Sequence, residues 1–175
     1  LAKSHVNGTT VRIEMWRAFA TSTLSSQTIT ATLSASAAAA IVVSAYSGTN
    51  TQGANGVGAL SLSVSGQRAT GTSTTPAATM TTTYTNVLVV GAVAAALNSS
   101  ITAGSGETIN GQDVGTVTPA CAQSRQNSAT AAFNTSVTMD WTLGSSVGWV
   151  AIAVGIVASS IQIGLGRTAQ SKVAG

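Results

Sequence analysis

The chain has 175 residues, which suits one domain with a single core. Only 6% of its residues are charged but 44% are hydrophobic, a composition that excludes a disordered polar tract. The net charge of +3 comes from scattered basic residues, without the clustered basic patch that nucleic-acid binding requires.

Two segments near the N-terminus alternate apolar and polar residues, a pattern typical of half-buried strands. Residues 11–19, VRIEMWRAF, place valine, isoleucine and methionine on one face and charged residues on the other. Residues 27–34, QTITATLS, alternate isoleucine, alanine and leucine with threonine. Both segments are predicted to be strands.

More apolar stretches follow, separated by loops rich in glycine, asparagine, serine and threonine. They occupy residues 39–48, 58–66 and 86–97. The alternation returns in residues 132–143, AFNTSVTMDWTL, where Phe133, Val137, Met139, Trp141 and Leu143 share one face. The pattern predicts that Trp141 belongs to the core.

Residues 148–166, GWVAIAVGIVASSIQIGLG, carry no charge. Large and small apolar residues alternate over 149–157, which suits a strand covered on both sides better than a membrane helix. We therefore expect two strands here and no membrane span. With about eight to ten short strands in all, the predicted fold is all-β, an antiparallel β-sandwich of jelly-roll type.

Residues suited to catalysis are scarce. His5 is the only histidine, so a Ser-His-Asp or Cys-His arrangement would have to use it. The acids are Glu14, Glu107, Asp113 and Asp140, and the simplest interpretation makes them ion-pair partners of Arg12, Arg17 or Arg125. We predict no catalytic residues, no cofactor and no enzymatic activity.

Two candidate binding sites remain open. Glu107 and Asp113 flank Asn110 in one loop, where they could form a calcium site. Trp16 and Tyr84 are candidate glycan contacts. Trp16 alternates with charged residues and is the better candidate for exposure, although cover by a loop or glycan is favoured over a sugar-binding site.

The remaining features bear on the compartment. A single cysteine, Cys121, excludes an internal disulfide and is interpreted as a small buried hydrophobe rather than an intermolecular bridge. Sequons at Asn7, Asn98 and Asn134 are candidate glycosylation sites. Glycans would help to solubilise a chain with few charges, so we expect an extracellular location. Few carboxylates also predict stability that depends little on acid pH.

Four stretches, IVVSAYSG, NVLVVGAVA, TAGSGETI and SSVGWVAIAVGI, together resemble modules of secreted archaeal and bacterial surface proteins, some of them phage-tail-like. The resemblance covers residues 11–158 and implies a jelly-roll-like sandwich without catalytic residues. In its Ser/Thr-rich, charge-poor character the chain is also similar to subunits of archaeal extracellular filaments, the threads and bundling pili.

Relatives usually carry a strand before residues 11–19, and here a further segment follows the usual last strand. These two differences suggest three parts. Residues 1–10 form an N-terminal segment, residues 11–158 form an incomplete sandwich, and residues 159–175 form an extension that donates a strand to a neighbouring molecule. Ile161, Ile163 and Leu165 would form the donor's apolar face, although the same residues could instead complete their own sheet.

The expected function is therefore that of a structural subunit in an extracellular, pilus-like filament, with copies of itself as partners and covalent glycans attached. The alternative is a glycan-binding adhesion module on a cell surface or virion tail.

Overall fold

The computed structural model describes residues 3–8, 11–61, 67–97, 99–114, 120–127 and 132–159. These residues form antiparallel strands and one short 3₁₀ segment, Ala54–Ala59. The strands are β1 (Lys3–Asn7), β2 (Val11–Met15), β3 (Leu60–Ser61), β4 (Arg68–Ser73), β5 (Ala77–Thr81), β6 (Val87–Ala95), β7 (Ile101–Ala103), β8 (Glu107–Asp113), β9 (Ala120–Gln126), β10 (Ser136–Leu143) and β11 (Val147–Val157).

The larger sheet is built around β11 and β6, which pair antiparallel from Trp149–Ala95 to Val157–Val87. Its strand order is β3-β11-β6-β9-β8, and β4 pairs with β11 along the same edge as β3. The smaller sheet has the order β5-β10-β7. The strands predicted over 86–97 and 149–157 are confirmed.

The two sheets pack face to face, and their shared core confirms the predicted all-β, sandwich-like fold. Trp141 is 1% exposed, which confirms its predicted place in the core. Its ring lies against Gly91 of β6, where an added Cβ would be 2.7 Å from the Trp141 Cη2 atom. The core also contains Met80, Met139, Val87, Val89, Val93 and Trp149.

Both faces of β11 are buried, which explains why large and small residues alternate along it. The small residues Ala151 and Ala153 face the smaller sheet and allow it to approach closely. The large residues Ile152 and Val154 face the other way and form a second apolar cluster. No helix in the described part of the chain is long and apolar enough to cross a bilayer.

A hairpin of β1 and β2 covers this outer face of the larger sheet. Val11 is buried against Val150, and Ile13 packs beside it. The Asn7 amide nitrogen donates to the main-chain oxygens of Gly71 and Trp149, at 3.0 Å in each case. The predicted N-terminal segment, residues 1–10, thus contributes β1 to a third layer.

Several predicted strands are wrong or shorter than predicted. Residues 27–34 and 39–48 form no strand, and the strand predicted over 11–19 ends at Met15. Of residues 58–66, the structure describes 58–61, where Leu60–Ser61 form β3. The reason is that alternation of apolar and polar residues shows only which face of a strand would be buried and which exposed. A strand also requires a neighbouring strand with unpaired backbone groups.

The strand predicted over 132–143 is also shorter, since β10 begins at Ser136. Phe133 precedes it and is 65% exposed, so it does not share the core face with Trp141.

Gly91→Ala should destabilise the fold by about 1–3 kcal/mol, because its methyl group overpacks the core. The added Cβ would meet Trp141 Cη2 at 2.7 Å and Met139 Cβ at 2.8 Å. Urea denaturation measures the loss. In a Trp141→Phe background the same substitution should cost less; an equal cost in both backgrounds would contradict the contact.

Asn7→Ala should release the hairpin from the larger sheet and cost about 1–3 kcal/mol, because two main-chain oxygens lose their donor. Limited proteolysis between β1 and β2, together with urea denaturation, checks this. Gln27→Ala is the control, since the Gln27 side chain donates to the oxygen of Ser25, a local contact two residues away. If both variants behave alike, Asn7 does not hold the hairpin.

Candidate functional site: an exposed arm and a free sheet edge

A long arm, residues 20–39, leaves the body of the protein between β2 and β3. Every residue from 16 to 39 is exposed. Residues 16–47 take part in no backbone–backbone hydrogen bond with another described residue. Connections this long without secondary structure are uncommon, and those that are ordered usually serve a function.

The arm is uncharged and partly apolar. No charged residue lies between Arg17 and Arg68. Leu24, Ile29 and Leu33 are 59%, 57% and 50% exposed. These three exposed apolar side chains lie within ten residues of one another in the sequence.

The chain is fixed to the body just before the arm. The Arg17 guanidinium donates to the Gly56 oxygen at 3.3 Å. Phe19 lies over the same glycine, where an added Cβ would be 3.1 Å from the Phe19 Cδ2 atom. Gly56 has a φ of +64°, a backbone conformation that also favours glycine.

Residues 40–47 fix the chain again after the arm. Even-numbered residues in this segment are half-buried over the outer face of the larger sheet, and odd-numbered ones from 41 on are exposed. Ser44 donates its hydroxyl to the Gln123 side chain, and Asn110 donates to the Tyr46 hydroxyl at 3.0 Å. Burial therefore alternates along this segment as in a strand, but the alternation arises from side-chain contacts rather than from strand pairing.

The sheet edges differ in how they are protected against further pairing. β8 carries Glu107 and Asp113 and has an irregular register between Ile109 and Gly111. Charges and bulges of this kind block the addition of another strand. β4 begins with the charged Arg68. β5, at the edge of the smaller sheet, has neither a charge nor a register shift.

The hydrogen bonds to β10 show which way the β5 backbone faces. Trp141 donates its main-chain N–H to the Pro76 oxygen at 3.0 Å, and Thr82 donates to the Thr135 oxygen at 2.9 Å. Because backbone groups alternate in direction along a strand, the residues between these positions with odd numbers point their N–H and C=O groups away from β10. These residues are Ala77, Thr79 and Thr81.

Glu107 on β8 is half-buried and accepts two hydrogen bonds. Its Oε2 accepts a hydrogen bond from the Ser124 hydroxyl and its Oε1 accepts one from the Asp140 main-chain N–H, both at 2.9 Å. Burial raises the pKa of Glu107 despite these two hydrogen bonds, and the negative charge of Asp140 raises it further.

The structure does not bring Glu107 and Asp113 together into the predicted calcium site. They lie at opposite ends of β8, paired with Gln126 and Cys121 of β9. Six residue-to-residue steps along the strand separate them by about 20 Å. The described residues contain no group of three or more His, Cys, Asp or Glu that could hold a metal. Glu107 instead lies beside Asp140, next to the turn between β7 and β8, where Gly104 donates its main-chain N–H to the Asp140 oxygen.

The two aromatic candidates are exposed. Trp16 is 66% exposed, as predicted, and its indole N–H donates to Glu14 Oε2 at 3.0 Å. Glu14 also forms an ion pair with Arg12, in line with the interpretation of the acids as ion-pair partners. Tyr84 is 52% exposed in the turn between β5 and β6.

The three sequons have different surroundings. Asn134 is exposed. A glycan on the Asn7 amide nitrogen would displace the hydrogen bonds that this nitrogen donates to the larger sheet. Asn98 lies outside the described residues, as do the predicted donor residues Ile161, Ile163 and Leu165.

His5 and Cys121 both contribute to the outer layers. Burial lowers the pKa of His5 on β1, and the positive charge of Arg68 lowers it further. Cys121 is a free, half-buried thiol that packs with Val11 and Ala94. Burial raises the pKa of its thiol, which disfavours the reactive thiolate.

The raised pKa of Glu107 makes the protein more stable in mild acid. The folded state binds the proton more tightly than the unfolded chain does, so this contribution is complete below the ordinary pKa of 4.5 and is lost as the pH rises through the folded value. In Glu107→Gln the contribution should disappear. Urea denaturation from pH 4 to pH 8 tests this, and parallel stability curves for the two proteins would contradict it.

Comparison of the chain with protein-family models, with curated proteins and with solved structures finds no match.

Proposed function

We propose that this protein is a structural subunit of an extracellular filament in which identical subunits are joined by exchange of a β-strand. The observation that carries the proposal is the arm, residues 20–39. It is exposed throughout, uncharged and without backbone pairing to other described residues.

Strand exchange would supply the backbone hydrogen bonds that the arm and the free edge of β5 lack within one described chain. An extended segment that joins the edge of a sheet gains main-chain hydrogen bonds, while alternate side chains set the specificity. The free edge of β5 offers unpaired backbone groups, and the arm offers alternating apolar and hydroxyl side chains.

The geometry of such an exchange favours a filament. The donor and acceptor are different surfaces of one subunit, so each copy can bind one neighbour through each surface. Contacts of this head-to-tail kind form open fibres unless the rotation between subunits closes a ring.

An extracellular location accords with the chain's composition. Charges make up 6% of the sequence, so hydroxyl groups provide much of the polar surface. Asn134 is exposed and available for a solubilising glycan.

A second candidate function is binding of surface glycans. Trp16 and Tyr84 are both exposed, and aromatic rings can stack on sugars. This candidate requires a dispersed protein that binds glycan, whereas the filament requires self-association.

Electron microscopy of the purified full chain, never exposed to heat or denaturant, tests the proposal. We expect filaments with a repeat of about 4 nm, the diameter of a compact domain of this length. Dispersed particles at every concentration up to the solubility limit would overturn the proposal. A glycan array run on the same dispersed sample would then test the second candidate.

A further inference from the structure

We propose that residues 27–34 of one copy add as a strand to the free edge of β5 in a second copy. This inference rests on the proposed function and names the two surfaces that meet in it. It differs from the sequence-based expectation, in which residues 160–165 of the 159–175 extension were the donor.

The donor segment has the chemistry of a strand. Residues 27–34, QTITATLS, contain no charge, no proline and no glycine. Four of its residues are β-branched, which favours a pleated, half-buried surface. Ile29 and Leu33 project from one face and the threonines from the other. In the single chain the Ile29 side chain is 57% exposed and the Leu33 side chain is 50% exposed.

The acceptor edge matches this alternation. On β5, Ala78 and Met80 are each 1% exposed and face the core. Thr79 faces outwards, where its hydroxyl lies 2.8 Å from that of Thr138 on the neighbouring strand. An added strand would extend the core with its isoleucine and leucine and the outer hydroxyl row with its threonines.

The lengths also agree. Hydrogen bonds to the β10 side continue beyond both ends of β5, from Thr74 before the strand to Thr82 after it. This stretch is about 30 Å long, and residues 27–34 span about 26 Å as a strand.

The structure favours a second copy over the chain's own β5. The chain is fixed to the body where Phe19 contacts Gly56. Gly56 is close in sequence to Ser61, and the Ser61 hydroxyl contacts that of Thr83, just after β5. In the single chain the arm stays exposed and unpaired with β5, which leaves both surfaces free for another molecule.

Cysteines placed in separate molecules test the contact directly. One protein carries Thr30→Cys and the other Thr79→Cys, each with Cys121→Ala so that no other thiol is present. Thr28→Cys and Thr32→Cys replace Thr30→Cys in parallel samples, because the register is set by the pairing itself. Any disulfide between the two proteins is intermolecular by construction, and it requires Cα atoms within about 7 Å of each other.

We expect a linked dimer for at least one donor position with Thr79→Cys. As the control, Gln112→Cys places the thiol on the exposed, charge-protected edge of β8. Equal linkage to both edges, or none to β5, would overturn the inference. A protein carrying Thr30→Cys and Thr79→Cys together that links only within one chain would also overturn it.

Proline variants provide a second test that leaves the fold intact. One of two consecutive strand residues must direct its N–H at the partner, so Thr30→Pro and Ala31→Pro are both made. At least one should weaken filament formation by about tenfold or more, whereas Ala37→Pro, in the same exposed arm, should not. All three should keep the urea midpoint of the unaltered chain.

The outcomes separate this inference from the proposed function. Filaments that persist in both Thr30→Pro and Ala31→Pro would overturn the donor assignment and leave the filament standing. Absence of filaments from the unaltered chain would overturn the proposed function itself. Filaments should also survive removal of residues 160–175; their loss would return the donor role to that segment.

Discussion

Burial of both faces of the β6–β11 pair is the constraint on which the rest of the structure depends. Trp149 and Ala151 pack towards the smaller sheet, while Ile152 and Val154 pack towards the outer layer. A strand pair that is apolar on both faces must be covered twice. The smaller sheet covers one face, and the β1–β2 hairpin covers the other with help from residues 40–47.

This layered arrangement leaves sheet edges, and the chain has few charges with which to protect them. Glu107 and Asp113 lie on β8, and Arg68 lies on β4. The edge of β5 has none. The same shortage of charge leaves residues 18–67 without a single ion. An uncharged edge on β5 and an uncharged arm therefore occur in the same molecule, and the proposed assembly joins them.

The strands that could be predicted from the sequence are those buried on both faces, because packing against two layers leaves a regular pattern of large and small residues. Residues 149–157 alternate large and small residues because two layers press on β11, and this is visible in the sequence. Residues 27–34 alternate just as regularly, but they pair with no strand in the described part of the chain. Alternation in a sequence shows which faces a strand would have, not which sheet edge is available to it. The proximity of Glu107 to Asp140 was missed for a similar reason, since it depends on the register of β10.

Hydrogen exchange of the full chain, compared between a dilute sample and its assembled form, tests the account most directly. Amides that join a strand ladder become protected from exchange. The account predicts that residues 27–34 and 77–81 gain protection together on assembly, while exchange in β8 stays unchanged. Assemblies in which residues 27–34 exchange as fast as in the dilute protein would contradict it.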